Sequence, residues 1–147
     1  MEISQNCVTI LNELRVNARE SFSLIGRRHG IPATTVFECY SRLTWNGFII
    51  KHAEIVDFSA LGFPLRHFIF IRRSGTAPLP ENIANSFFVN SISRVSGLDF
   101  MIDLVTPGLL ELYSFLESLE DAGASEVEVH DVFEHVKVEG FSVRLLS

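Results

Sequence analysis

Apolar residues in the first third of the chain recur at three- and four-residue spacing in three runs. Cys7, Ile10, Leu11 and Leu14 form the first, with Ser4 placed to cap it. Phe22 and Ile25 mark a short second run, capped by Ser21 and stopped by Gly30 in a left-handed conformation. The third begins at Pro32, whose missing N–H suits a helix start, and carries Val36, Tyr40 and Leu43 at i, i+4 and i+7 to about Trp45, with Asn46-Gly47 closing it. Thr34, Thr35, Phe37, Glu38, Ser41 and Arg42 point away from that stripe. A glycine inside a helix costs about 1 kcal/mol relative to alanine, so Gly26 implies that another helix crosses closely there. The β-prone stretch Phe48 to Val56 follows and reads as a wing strand.

The period then changes. Leu65 to Ile71 is a nearly continuous apolar strand. Pro78 and Pro80 precede a helix from about Glu81, with Ile83, Ala84, Phe87 and Phe88 on one face. Ile92 to Ser96 and Asp99 to Val105 form a hairpin about Gly97-Leu98. Leu109, Leu112, Tyr113, Leu116 and Leu119 trace an amphipathic helix from Gly108 to Ala122, ended by Gly123. A last strand starts near Val127. Its apolar phase switches from odd (Val127, Val129, Phe133) to even (Val132, Val136, Val138) positions, which implies a bulge near His130 and Asp131 or burial of both faces. The order β-α-β-β-α-β is that of the ferredoxin-like split unit. The fold class is therefore α+β: an N-terminal winged helix-turn-helix with its connecting strand over residues 1–62, and a C-terminal ferredoxin-like domain over 63–147.

Hydrophobic residues make up 47% and charged residues 20% of the 147-residue chain, more apolar surface than one small core needs, so oligomerisation is expected. No run approaches the length of a membrane span, and Met1, Glu2, Ile3 and Ser4 lack a signal peptide's basic start, so a cytoplasmic protein without membrane contact is expected. Cys7 and Cys39 stand in helical patterns without CxxC or metal spacing and read as reduced structural thiols. Residues 1–62 carry six Arg/Lys against six Asp/Glu, and residues 63–147 six against twelve. An acidic second half repels a polyanion, so any nucleic-acid contact, with double-stranded DNA included, must come from the first.

Two short helices about a glycine turn, the second with a free face, match the helix-turn-helix, whose second helix enters the major groove. The chain resembles the Lrp/AsnC (feast/famine) transcription regulators through Ile10-Leu11, Leu14, Asn17-Ala18-Arg19, Ser21, Gly30-Ile31, Thr35-Val36, Arg42-Leu43, Gly47-Phe48-Ile49, Ile55-Val56-Asp57 and Leu61-Gly62-Phe63, and on into the second half. The resemblance implies an oligomeric, sequence-specific DNA-binding regulator that dimerises through its sheet and associates further, often into octamers. The DNA-contacting residues would be Thr34, Thr35, Phe37, Glu38, Ser41 and Arg42 on the recognition helix, with Arg19, Arg27, Arg28 and Lys51 on phosphates. It also implies an amino-acid effector site at Gly97, Leu98 and Asp99, where backbone groups beside a glycine and one carboxylate match an amino acid's charged ends.

The recognition helix departs from the family, with Phe37, Glu38 and Cys39 where arginines are common. A second reading is therefore an interaction protein that binds a protein partner through Thr34, Phe37, Ser41 and Trp45. Trp45 has a packing role against the wing as its plainer explanation, and His29 one as a ring cap on the second helix. No nucleophile-base-acid set, phosphate loop or paired carboxylates points to catalysis, and no cofactor or metal is expected. Siroheme decarboxylases resemble the same two-domain architecture and use histidines near a tetrapyrrole, which makes His67, His130 and His135 the residues to follow.

Overall fold

Local capping sets the ends of the first two helices. The computed structural model describes residues 3–73 and 77–144. In α1 (Gln5–Val16) the Ser4 hydroxyl accepts the Cys7 N–H at 3.4 Å, and in α2 (Phe22–His29) that of Ser21 accepts the Leu24 N–H at 3.2 Å. Gly30 ends α2 at φ 65°, and the Ile31 N–H reaches back to the Gly26 carbonyl at 2.9 Å. Pro32 lies just before α3 (Ala33–Trp45) as its cap residue, not within its first turn.

The inward faces of these helices share a core of Cys7, Ile10, Leu14, Ile25, Val36, Cys39 and Leu43. Cys39 takes the central place expected for Tyr40, which sits half-buried at the rim with its ring 5.1 Å from that of Phe22. Gly26 is a close-approach site, but what approaches is the turn: a Cβ there would run into the Ile31 carbonyl oxygen and reach Ala33 N at 3.5 Å. The expectation of two reduced thiols is corrected, since Cys7 and Cys39 form a disulfide with Cα atoms 5.3 Å apart. Sequence places them 32 residues apart, and only the packing of α1 on α3 brings them within bonding reach.

Phe48–Val56, expected as a wing strand, forms no strand. A strand needs a partner edge for its N–H and C=O groups, and the described remainder of this unit is helical or irregular.

Two compact units result, one of residues up to Ile55 together with those from Lys137 onward, the other Val56–Val136. The division falls ahead of the connecting segment, which the sequence pattern grouped with the helices, and the residues beyond Val136 rejoin the helical unit.

In the second unit β1 (Leu65–Arg73), α4 (Glu81–Ala84), β2 (Val89–Arg94), β3 (Phe100–Thr106), α5 (Leu109–Asp121) and β4 (Ala124–Asp131) follow the βαββαβ order. The four strands are antiparallel in the order β2-β3-β1-β4, so β1 and β3 are central. Alternation along them divides the sheet's faces. Ile69, Ile71, Ile102 and Leu104 pack with Ile83, Leu112, Phe115 and Leu119 from the helices. Arg66, Phe68, Phe70, Met101, Asp103 and Val105 turn to the other face.

Three expectations are revised here. Helix α4 is one turn long, and Phe87, expected on its inner face, is 82% exposed beyond its end. Strand β2 runs Val89–Arg94 instead of Ile92–Ser96. Strand β4 stops at Asp131, so the phase switch needs no bulge at His130; Phe133 and Val136 lie past the sheet and are exposed, and the register irregularity falls between Arg72 and Arg73.

Candidate nucleic-acid interface and effector turn

Because Val36, Cys39 and Leu43 are drawn into the core, the opposite side of α3 faces outward. Thr34, Phe37, Glu38 and Arg42 are exposed, while Thr35 and Ser41 are half-buried at the edges of that face. Phe37 is 57% and Trp45 90% exposed, so Trp45 does not pack on the segment after the helix. The outer surface thus offers hydroxyls, one guanidinium, one carboxylate and two aromatic rings.

The basic residues divide by what surrounds them. Arg28 is held by Glu13 at 2.5 Å and Glu20 at 2.6 Å. Its pKa is raised, first by the hydrogen bond to Glu20 and then by that to Glu13. His29 Nε2 lies 2.9 Å from the other oxygen of Glu13, so the ring ties α2 to α1 instead of capping α2, which corrects the expectation from sequence. The Glu13 carboxyl is held below its ordinary value, chiefly by the His29 hydrogen bond and then by Arg28, against the opposing effect of burial. Arg19 pairs with Glu54 at 3.1 Å. Arg27, Arg42 and Lys51 have no carboxylate partner among the described residues. Of the phosphate candidates, then, Arg28 serves the α1–α2 joint and Arg19 is paired with Glu54, while Arg27 and Lys51 stand in solvent.

Nothing local in the sequence announces that joint. Glu13 and Glu20 lie 15 and 8 residues from Arg28, distances at which only the folded turn sets partners. The returning residues also shift the charge balance. The helical unit holds eight Arg/Lys against six Asp/Glu, and the sheet unit four against twelve. The polarity expected from the sequence is thereby sharpened.

At the other candidate site the β2–β3 turn closes onto the end of β1. Gly97 takes φ 79°, and its carbonyl accepts Arg72 Nη2 at 2.7 Å. The Asp99 carboxylate accepts the Arg73 N–H at 2.7 Å, and the Asp99 N–H donates to the Ile71 carbonyl at 3.0 Å. Leu98 is half-buried. One Asp99 oxygen and the Gly97 carbonyl are thus already engaged by β1.

Sequence patterning did not reveal a cavity of about 250 Å³ lined by Phe58, Leu61, Phe63, Phe87, Phe88 and Asn90 among others. Beside it, Arg66 makes a bidentate pair with Asp103 at 2.8 and 2.6 Å, and Asn90 donates to Asp103 at 2.7 Å. Asp103 is 3% exposed, and Arg66 Nη1 also reaches His135 Nε2 at 2.8 Å.

The three histidines do not make one site on the sheet. His67, 3% exposed, faces the helix side and meets Asp131 at 2.8 Å through Nδ1, while His130 opposes Phe68 on the other face. Among the described residues no group of three His, Cys, Asp or Glu could hold a metal ion. No described helix is long and apolar enough to cross a membrane.

No family model matches the chain. An uncharacterized HTH-type transcriptional regulator of Pyrococcus abyssi is 35% identical over 63 residues, 43% of this chain and 42% of the relative. One of Pyrococcus horikoshii is 30% identical over 89 residues, 60% of this chain and 57% of the relative. The chain thus spans about half the length of the curated relatives it matches. Among solved structures, Bacillus subtilis LrpC is similar with TM-score 0.84 and 20% identity, over 93% of this chain and 99% of that one. Escherichia coli AsnC gives 0.82 and 18%, over 97% and 100%. A Neisseria meningitidis transcriptional regulator in complex with L-Met gives 0.85 and 15%, over 97% of each chain. A three-helix unit with a free α3 face, a β2-β3-β1-β4 sheet and these end-to-end likenesses establish that the chain has the fold of the Lrp/AsnC-family transcription regulators.

Proposed function

We propose that the protein is a DNA-binding transcription regulator of the Lrp/AsnC type, not an enzyme, and that α3 is its recognition helix. The observation that carries this is the outward face of α3 on a unit with an excess of basic residues, in a chain whose second unit is strongly acidic. Thr34, Thr35, Phe37, Glu38, Ser41 and Arg42 meet base edges and groove walls; Arg27 and Lys51 meet phosphates. Arg28 contributes indirectly, by holding α2 against α1. The open sheet face with Phe68, Phe70 and Met101 pairs with a second copy, and the dimer spaces two recognition helices on DNA. Larger assemblies such as octamers extend the same association. The turn at Gly97, Leu98 and Asp99 takes an amino-acid effector, a reading encouraged by the neisserial relative's L-Met complex.

The test is a gel shift with DNA upstream of the protein's own gene at low and moderate salt. Binding should weaken as salt rises, because phosphate neutralisation releases counterions. Arg42→Ala should weaken it by about 1–3 kcal/mol if the side chain reads a base. Absence of any salt-dependent shift at micromolar protein refutes the proposal. The exposure of Phe37 and Trp45 favours one other reading, a protein-binding face on α3. In that case the shift is absent and Phe37→Ala and Trp45→Ala abolish partner binding. A thermal-shift screen with amino acids tests the effector turn, and Asp99→Ala should remove any response.

A further inference from the structure

Residues beyond β4 leave the sheet unit, pass exposed through Phe133 and Val136, and rejoin the helical unit from Lys137. They are held there by two side chains of α1. The Asn12 amide brackets Val143, its Nδ2 donating to the Val143 carbonyl and its Oδ1 accepting the Val143 N–H, both at 2.9 Å. This is the pattern by which one strand residue pairs with another, supplied here by a side chain. Arg15 Nε donates to the Phe141 carbonyl at 2.9 Å, and Nη2 reaches the Glu139 carbonyl and carboxylate at 3.2 Å each. Glu139 takes φ 48°, an uncommon conformation for a residue with a side chain.

The grip is polar and directed at backbone. Phe141 is 73% exposed and the Arg15–Glu139 pair is open to solvent, so little apolar burial holds the segment. Contacts of this kind open well below the global unfolding free energy. Yet α1 is the helix on which the rest of the unit depends. Its Cys7, Ile10 and Leu14 back α3, and its Glu13 holds α2 through Arg28 and His29. Val8, one turn before Asn12 on the same side of α1, is 2% exposed although it lies outside the core cluster.

We propose that residues 139–143 form a detachable latch on α1, so that the sheet unit acts on the helical unit through both chain connections, the one after Ile55 and the one before Lys137. Docked, the latch orders α1 and covers Val8. Released, it loosens the helix that supports α3. The recognition is of backbone plus one ion pair and is independent of what α3 binds.

Hydrogen exchange of the full-length chain tests this. In the unmodified protein the Val143 amide should exchange at least about tenfold more slowly than in Asn12→Ala. The variant should also lose protection across residues 10–16 of α1 and be cut faster by trypsin after Lys137, with unchanged far-ultraviolet circular dichroism. Exchange of Val143 at the unprotected rate in the unmodified protein overturns the latch. So does loss of Val143 protection with no change in α1. Should Asn12→Ala fail to fold, the unmodified chain serves: raising salt screens the Arg15–Glu139 pair and should speed cleavage after Lys137, and cleavage indifferent to salt overturns the proposal.

Discussion

Reducing the Cys7–Cys39 disulfide should lower the stability of the helical unit without touching the sheet unit. The bond closes a chain segment whose ends are 32 residues apart in sequence. Releasing it returns loop entropy to the unfolded chain, and for a loop of that length the expected loss is about 3.7 kcal/mol near room temperature. The helical unit is small, and in a domain of its size each kcal/mol displaces the midpoint by about 4–8 °C, so reduction should lower its transition by about 15–30 °C. Both cysteines are core residues at 2% and 5% exposure, so the thiols remain buried when the bond opens and the packing contribution of each side chain is retained. Circular dichroism at helix-sensitive wavelengths, with and without reductant, reads the transition, and a thiol titration of the denatured, unreduced protein counts free cysteines. The double variant Cys7→Ala with Cys39→Ala should melt near the reduced protein and ignore reductant. Two titratable thiols in the unreduced sample, or a transition that reductant leaves in place, would refute the reasoning.

Other expectations are independent of that bond. Gly26→Ala should destabilise the helical unit by about 2 kcal/mol or more in chemical denaturation, although helix propensity alone favours alanine by about 1 kcal/mol, because the new Cβ meets the Ile31 carbonyl of a fixed turn. Asp103→Ala should cost about 3–5 kcal/mol in the sheet unit, since it strips a mostly buried Arg66 of its bidentate partner and Asn90 of its acceptor. Acid should loosen the α1–α2 joint. The Glu13 carboxyl is lowered from 4.5 in the folded state, so its contribution is fully present above that value and is lost as pH falls through the lower folded value. Glu13→Gln should flatten the acid limb of a stability-against-pH curve; an unchanged limb would remove Glu13 from the account.

The sequence by itself determined the elements whose cause is local. Three helix runs, the Ser4 and Ser21 caps, the left-handed stop at Gly30 and the βαββαβ order follow from periodicity and capping chemistry within a turn or two of each residue. The outward set on α3 was legible for the same reason, because placing Val36 and Leu43 inside places Thr34, Phe37 and Arg42 outside. What tertiary structure decided involves partners distant along the chain. Cys39 pairs with Cys7 only because α1 crosses α3. Arg28 is withdrawn from the phosphate candidates by Glu13 and Glu20. Phe48–Val56 has strand propensity but no edge to pair with among the described residues of its unit. Strand β4 ends at Asp131 where its pairing with β1 ends at His67, and the residues after it return to Asn12 and Arg15, 131 and 124 residues away. Propensity and period act over one turn or one pleat, whereas a salt link, a disulfide or a docked segment forms only when the whole chain has chosen which surfaces meet.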